Sequence, residues 1–224
     1  MKEKKTIKSP SKILLPKVDV IFKLLFGDKR NNDILTGFLK SVLDLPDDEY
    51  ENITLEDTQL KRETTDDKLG VVDVRLTTKS GKIVHIEMQI LNQDDMPERV
   101  TYYNAKMIVT QLKSGNDYDM LVKTISIVIS DFEIVKNSPK YHHTFQLNDR
   151  ETGVNFTDII EIDTLELNKI PEQSDNTTKY GLVKIFESRK RGGVQYVIRE
   201  KPNDKKGGSR VKTVKPGRRN TEDI

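Results

Sequence analysis

The run Val122-Lys123-Thr124-Ile125-Ser126-Ile127-Val128-Ile129 constrains the fold more than any other stretch of this 224-residue chain. Its β-branched side chains are stiff and suit a pleated strand better than a helix. A run of that kind belongs to a strand in the middle of a sheet, where both faces are covered. The rest of the chain is polar: 34% of residues are hydrophobic and 33% charged, with mean hydropathy −0.63. The core is therefore expected to be concentrated in part of the chain.

Charge divides the chain in the same way. Residues 188–224 carry 12 Lys+Arg and 4 Asp+Glu, a net of +8, whereas residues 1–187 carry 26 and 32, a net of −6. The last 37 residues also include Gly192, Gly193, Gly207, Gly208, Gly217, Pro202 and Pro216, without an apolar period. We expect a loose N-terminus over 1–14, a folded domain over 15–187, and a basic, Gly-rich, disordered tail over 188–224. Such a tail can hold phosphates without sequence preference, or be a solvated tail with no specific task. The abrupt loss of periodicity at about Ile185 is also what a reading-frame shift produces; resequencing the gene checks that. With no Cys, disulfides, thiolate metal sites and a cysteine nucleophile are excluded. No apolar run reaches bilayer length and no apolar segment follows Met1-Lys2-Glu3-Lys4-Lys5, so a cytoplasmic protein with no membrane partner is expected.

Two helices are predicted before the first strands. Val18, Ile21, Phe22, Leu25 and Phe26 recur at helical spacing after Pro16, and Gly27-Asp28 interrupts them. Ile34, Leu35, Phe38, Leu39, Val42 and Leu43 form a second apolar stripe, stopped by Pro46. Leu69 to Leu76 and Ile83 to Ile90 flank the turn Lys79-Ser80-Gly81-Lys82 and read as a β-hairpin. Residues 95–114 read as a helix, with Met96, Val100, Tyr103, Met107, Ile108 and Leu112 inward. Tyr141 to Leu147 and Val154 to Ile162 alternate as two further strands. This order predicts an α/β or α+β sandwich around a mixed sheet.

The chemistry is concentrated on the hairpin. In its second strand Val84, Ile86, Met88 and Ile90 point one way, and His85, Glu87 and Gln89 the other. In its first strand Asp73 shares a face with Val71 and Arg75. If the hairpin pairs, Asp73 stands near Glu87, and two close carboxylates repel unless a cation lies between them. Oxygen ligands in a chain without Cys point to Mg²⁺ or Mn²⁺ rather than Zn²⁺. On spacing alone the same residues suit the wet face of an ordinary sheet. His142-His143 cannot face one side of a strand together, which argues against a paired ligand role.

The frame around these residues resembles the Rpn-type recombination-promoting nucleases and transposases, a branch of the PD-(D/E)XK nuclease superfamily. Asp19-Val20-Ile21-Phe22-Lys23-Leu24-Leu25-Phe26-Gly27 is similar to the family's opening Asp-x-x-Phe-Lys-x-x-Phe-Gly signature. Val72-Asp73-Val74-Arg75 and Ile86-Glu87-Met88-Gln89 resemble the Asp and the Glu-x-Gln of the nuclease motif. Tyr102-Tyr103, Gln111 to Tyr118, the strand at 125–129 and Glu166-Leu167-Asn168-Lys169 continue the likeness, which covers about residues 15–170.

The resemblance implies a restriction-endonuclease-like fold, a mixed central sheet flanked by helices. It implies a Mg²⁺- or Mn²⁺-dependent DNA endonuclease acting in recombination, possible as a homodimer. Asp73, Glu87 and the Met88 carbonyl would hold the ion, and Gln89 would position water. Gln89 stands where the superfamily name has Lys, so the site lacks that cation. Asp19 is an accessory carboxylate or a helix N-terminal one favoured by the dipole. Lys23 could contact phosphate, and Arg75 phosphate or a carboxylate. Gln111 and Tyr103 are candidates for the cleft wall. Phe22 and Phe26 read as core. The competing reading is a decayed relative that binds DNA or a partner without cutting.

Overall fold

The computed structural model describes residues 19–60, 70–92, 94–173 and Tyr180, all within one compact unit, Pro16–Glu187. The basic segment 188–224 and residues 1–14 lie outside the described residues. Helix α1, Asp19–Phe26, buries Phe22, Leu25 and Phe26, one face of a short helix. Gly27 ends it, and its N–H donates to the Lys23 carbonyl at 2.8 Å. Asp28 caps the following 3-10 turn by accepting the Arg30 N–H. Helix α2, Asn32–Val42, buries Leu35, Phe38, Leu39 and Val42. The Phe26 ring lies 5.2 Å from Phe38, which ties α1 to α2.

Eight strands follow among the described residues: β1 Thr54–Leu55, β2 Gln59–Leu60, β3 Gly70–Val71, β4 Val74–Thr77, β5 Ile83–Gln89, β6 Thr124–Ser130, β7 His142–Asn148 and β8 Asn155–Glu166. Six of them form one mixed sheet in the order β1-β4-β5-β6-β8-β7. The pairs β5–β6 and β6–β8 are parallel and the rest antiparallel. Strands β2 and β3 form a separate two-stranded ladder. The β-branched run ending at Ile129 supplies β6, buried at every residue between β5 and β8. The parallel step from β5 to β6 is made through helix α3, Met96–Val109, as a parallel pair requires. The expected mixed α/β sheet flanked by helices is what the chain forms. No helix among the described residues is long and apolar enough to cross a membrane.

The structure corrects three local expectations. The stretch 69–76 is not one strand: β3 pairs with β2, the chain bends at Asp73, and β4 then pairs with β5. Competition between two partners breaks the strand. The polar row of β5 is also not wet. His85 is fully buried and Glu87 is 3% exposed, because α3 lies over that face. Val84, Ile86 and Met88 on the opposite face are buried as well. Helix 95–114 is shorter than its apolar period suggests, ending at Val109.

The hairpin turn between β4 and β5 is held from below. Gly81 takes φ +87°, which suits a residue without Cβ. Buried Glu49 accepts from the Thr78 hydroxyl at 2.6 Å, the Ser80 hydroxyl and N–H, and the Lys82 ammonium. These bonds hold its carboxyl down at about 2 against the opposing effect of its burial. The turn that fixes the β4–β5 register is thereby anchored to the loop after α2.

Candidate active site

The ladder between β4 and β5 starts at the pair Val74–Ile86, so β5 runs on past the end of its neighbour. Asp73 fills the gap. Its Oδ2 accepts the Met88 N–H at 2.9 Å, in place of the Val72 carbonyl that a longer β4 would have set there. In a strand the N–H and C=O of one residue point to the same edge. The Gln89 carbonyl turns to the β6 side, where it accepts the Asp131 N–H. The Met88 carbonyl therefore faces the Asp73 side. Lys23 of α1 pairs with Asp73 Oδ1 at 3.1 Å.

Glu87 is the buried member of the group. Its Oε1 meets the Arg99 guanidinium of α3 at 2.6 Å. Its Oε2 is buried and has no hydrogen-bond partner among the described residues. Burial pushes its carboxyl up to about 7; Arg99 and Lys23 pull it down and the nearby Asp73 charge pushes it up further. The Asp73 charge thus reaches Glu87 across the gap. Gln89, partly exposed, donates its amide N–H to the Leu91 carbonyl at 3.0 Å.

Two residues down β5, His85 stands opposite Arg75 and beside Ser126 of β6. Asn104 of α3 donates to the Ser126 hydroxyl at 2.8 Å, and that hydroxyl lies 3.1 Å from His85 Nδ1. Because Asn104 donates, the hydroxyl proton is available to Nδ1, which leaves the imidazole proton on Nε2. His85 Nε2 and Arg75 Nε are both buried without a partner among the described residues. Burial, aided by the Arg75 charge, holds the His85 imidazole down at about 3.

The structure thus brings Asp73, Glu87, Met88 and Lys23 together, with Gln89 next to them. Arg75 lies on the same face but level with His85, two residues away from Glu87. Gln111 is elsewhere. Its amide donates to the Val122 carbonyl and the Thr124 hydroxyl and accepts the Val122 N–H, clamping the end of α3 to the start of β6. Thr124 pairs with Ile83, at the opposite end of β5 from Gln89. Tyr103 belongs to a core cluster with Val72, Ile83 and Met107. The Asp19 side chain lies outside the described residues. His142 and His143 face opposite ways, the first toward Asp163 and the second toward Ser138.

Sequence reading missed Arg99 and Asn104. Both lie on the inward side of α3, at spacings of three and four from Met96, Val100 and Tyr103. A charged or amide residue at a core phase of a helix was the available signal.

Among the described residues no group of three or more His, Cys, Asp or Glu stands close enough to hold a metal ion. Asp73 and Glu87 supply two carboxylates, and the Met88 carbonyl a third oxygen on the same side. The buried, unsatisfied Glu87 Oε2 is a donor that a hard divalent cation suits. The residues therefore fit such an ion, with fewer protein ligands than a dedicated cage. Mg²⁺ is ordinarily held in this way, by one or two carboxylates and its own water.

A family model described as PD-(D/E)XK nuclease family transposase matches residues 16–187. No curated protein and no solved structure matches the chain.

Proposed function

Since the chain belongs to the PD-(D/E)XK nuclease family transposases, we propose that it is a divalent-metal-dependent DNA endonuclease acting in recombination. Its centre is the end of β5. The observation that carries this reading is the convergence of Asp73 and Glu87 where β4 stops, with one buried Glu87 oxygen unsatisfied. A bound Mg²⁺ or Mn²⁺ supplies Lewis acidity: it acidifies water and neutralises charge on the scissile phosphate.

The chain's own residues do the rest. The Met88 N–H fixes the rotamer of Asp73, and Lys23 holds its other oxygen. Burial under α3 limits the places Glu87 can go. Gln89 gives its amide N–H to Leu91, so its oxygen is left to accept a hydrogen bond from an attacking water and orient it. Without the motif's lysine, Lys23, exposed and paired with the Asp73 carboxylate, is one candidate for phosphate contact. We further place the protein in the cytoplasm, with DNA as its partner and a second copy required if both strands are cut.

One observation favours a different reading, a decayed binding module of the same fold. Both carboxylates already have internal cations, Lys23 on Asp73 and Arg99 on Glu87, so the site is balanced without a metal. Nicking of supercoiled plasmid with Mg²⁺, with Mn²⁺ and with EDTA separates the two. Cleavage that needs metal and is lost in folded Asp73→Ala and Glu87→Ala supports the nuclease. Folded protein that binds DNA and never cuts it points to the decayed module.

A further inference from the structure

Building on the assignment of Asp73 and Glu87 as the cation-holding pair, we propose that Arg99 is a displaceable counter-ion. It holds Glu87 while no divalent cation is bound, yields the carboxylate to the ion, and then takes a DNA phosphate.

The contacts of Glu87 set up the exchange. One oxygen carries Arg99 at 2.6 Å and the other has no partner among the described residues. An ion can begin on the unsatisfied oxygen while Arg99 is still in place. Once it has done so, a dication and a guanidinium share one buried carboxylate and repel each other. The Glu87 side chain is only 4% exposed, so water screens that repulsion poorly.

Arg99 has somewhere to go. Its side chain keeps 25% of its surface exposed. Its guanidinium carbon already lies 5.5 Å from the Tyr103 ring centroid, a second resting place for a cation. It sits in the first turn of α3, level with the end of β5. Charge balance gives it a purpose there. Lys23 and Arg99 offset Asp73 and Glu87, so an added dication leaves the group two charges positive. A phosphodiester is the anion a DNA substrate brings. The planar fork of Arg suits two phosphate oxygens at once, whereas Lys23 offers a point charge. Gln89, at the motif's lysine position, carries no charge for this task.

The test uses the full-length protein at pH 8.5, where protons do not compete for Glu87. Mn²⁺ binding without DNA is measured by electron paramagnetic resonance, and binding of a short labelled duplex by fluorescence anisotropy in Ca²⁺. Arg99→Gln is expected to bind Mn²⁺ roughly tenfold more tightly, the release of one charge-assisted hydrogen bond. The same variant is expected to bind the duplex roughly fivefold more weakly, for a lost phosphate contact. A merely structural residue does not move the two affinities in opposite directions. Arg99→Lys keeps the charge without the fork. It should stay near wild type for Mn²⁺ and lose part of the duplex affinity, and it carries the test if Arg99→Gln proves unfolded by circular dichroism. Mn²⁺ affinity in Arg99→Gln that is unchanged or weaker, or duplex affinity that is unchanged, overturns the proposal. Glu87→Ala checks the underlying reading separately: Mn²⁺ bound equally well without Glu87 means that the ion is not held there at all.

Discussion

His85 and Glu87 are two residues apart on one buried strand face, and their protonation is linked to folding with opposite signs. Burial holds the His85 imidazole at about 3 in the folded chain, against an ordinary 6.5. Below pH 6.5 the unfolded chain takes a proton there that the folded chain refuses, so this residue makes stability rise with pH. Burial lifts the Glu87 carboxyl from an ordinary 4.5 to about 7. Between those values the folded chain keeps a proton that the unfolded chain has released, so this residue makes stability fall with pH. Each full proton of difference is worth about 1.4 kcal/mol per pH unit. Integrated from pH 5 to pH 7, His85 adds about 2 kcal/mol and Glu87 removes about 2 kcal/mol. In the wild type the two nearly cancel.

Substitution uncovers them one at a time. With EDTA present, His85→Gln should lose about 2 kcal/mol, relative to wild type, as pH rises from 5 to 7. Glu87→Gln should gain about the same over that interval, and the double variant should again run parallel to wild type. Other titrating groups contribute alike to all four proteins and drop out of the differences. Urea unfolding at pH 5, 6 and 7 measures this, provided that the denaturant slope is common to the four. Single variants that both run parallel to wild type would refute the argument. That result would mean both that His85 finds an acceptor in the fold and that Glu87 is less desolvated than its 3% exposure indicates.

Three further outcomes are expected. Gly27→Ala should destabilise by roughly 1–3 kcal/mol in urea, because its Cβ would stand 2.6 Å from the Lys23 carbonyl oxygen, a backbone atom that must move. Glu166→Ala should cost roughly 3–5 kcal/mol by the same assay: the buried carboxylate accepts the Ile134 and Val135 N–H groups, which lose their acceptor together, and it holds Lys169 at 2.8 Å, which is left with Glu133 and the Val135 carbonyl. On the proposed function, millimolar Mg²⁺ should raise the melting temperature of the wild type and leave that of Glu87→Ala unchanged, since a ligand that binds only the folded chain stabilises it.

The parts of this fold that were legible in the sequence are those in which one local pattern decides the outcome. The central position of β6 follows from its composition. The stripes of α1 and α2 follow from a period set by helix geometry, and the turn at Gly81 from a backbone angle that favours glycine. The likeness of Asp73 and Glu87 to a motif also rests on local order. The illegible parts are settled by contacts far apart in the chain. Nothing near residue 85 announces that α3 will lie over it, so a row of His, Glu and Gln read as a wet face. Gln111 shows the same limit: its residue type suits a cleft, but its three hydrogen bonds tie a helix to a strand.

The break at Asp73 is the most consequential feature that no local pattern encodes. A continuous strand from 69 to 76 would pair fully with β5, and the Met88 N–H would then go to a backbone carbonyl. Instead β2 takes β3, the chain bends, and the ladder opens one residue before Glu87. The N–H left over by that opening is satisfied by the Asp73 carboxylate itself. The same bond thus repairs the sheet and aims the carboxylate. Replacing Asp73 removes an acceptor from the Met88 N–H as well as a charge from the site, so Asp73→Ala mixes a structural loss with a chemical one. Asp73→Asn keeps an oxygen for the Met88 N–H and removes only the charge. If the proposed nuclease depends on that charge, Asp73→Asn should retain wild-type stability within roughly 1 kcal/mol while losing metal-dependent nicking. Unchanged nicking in Asp73→Asn would mean that Asp73 serves the sheet and not the ion.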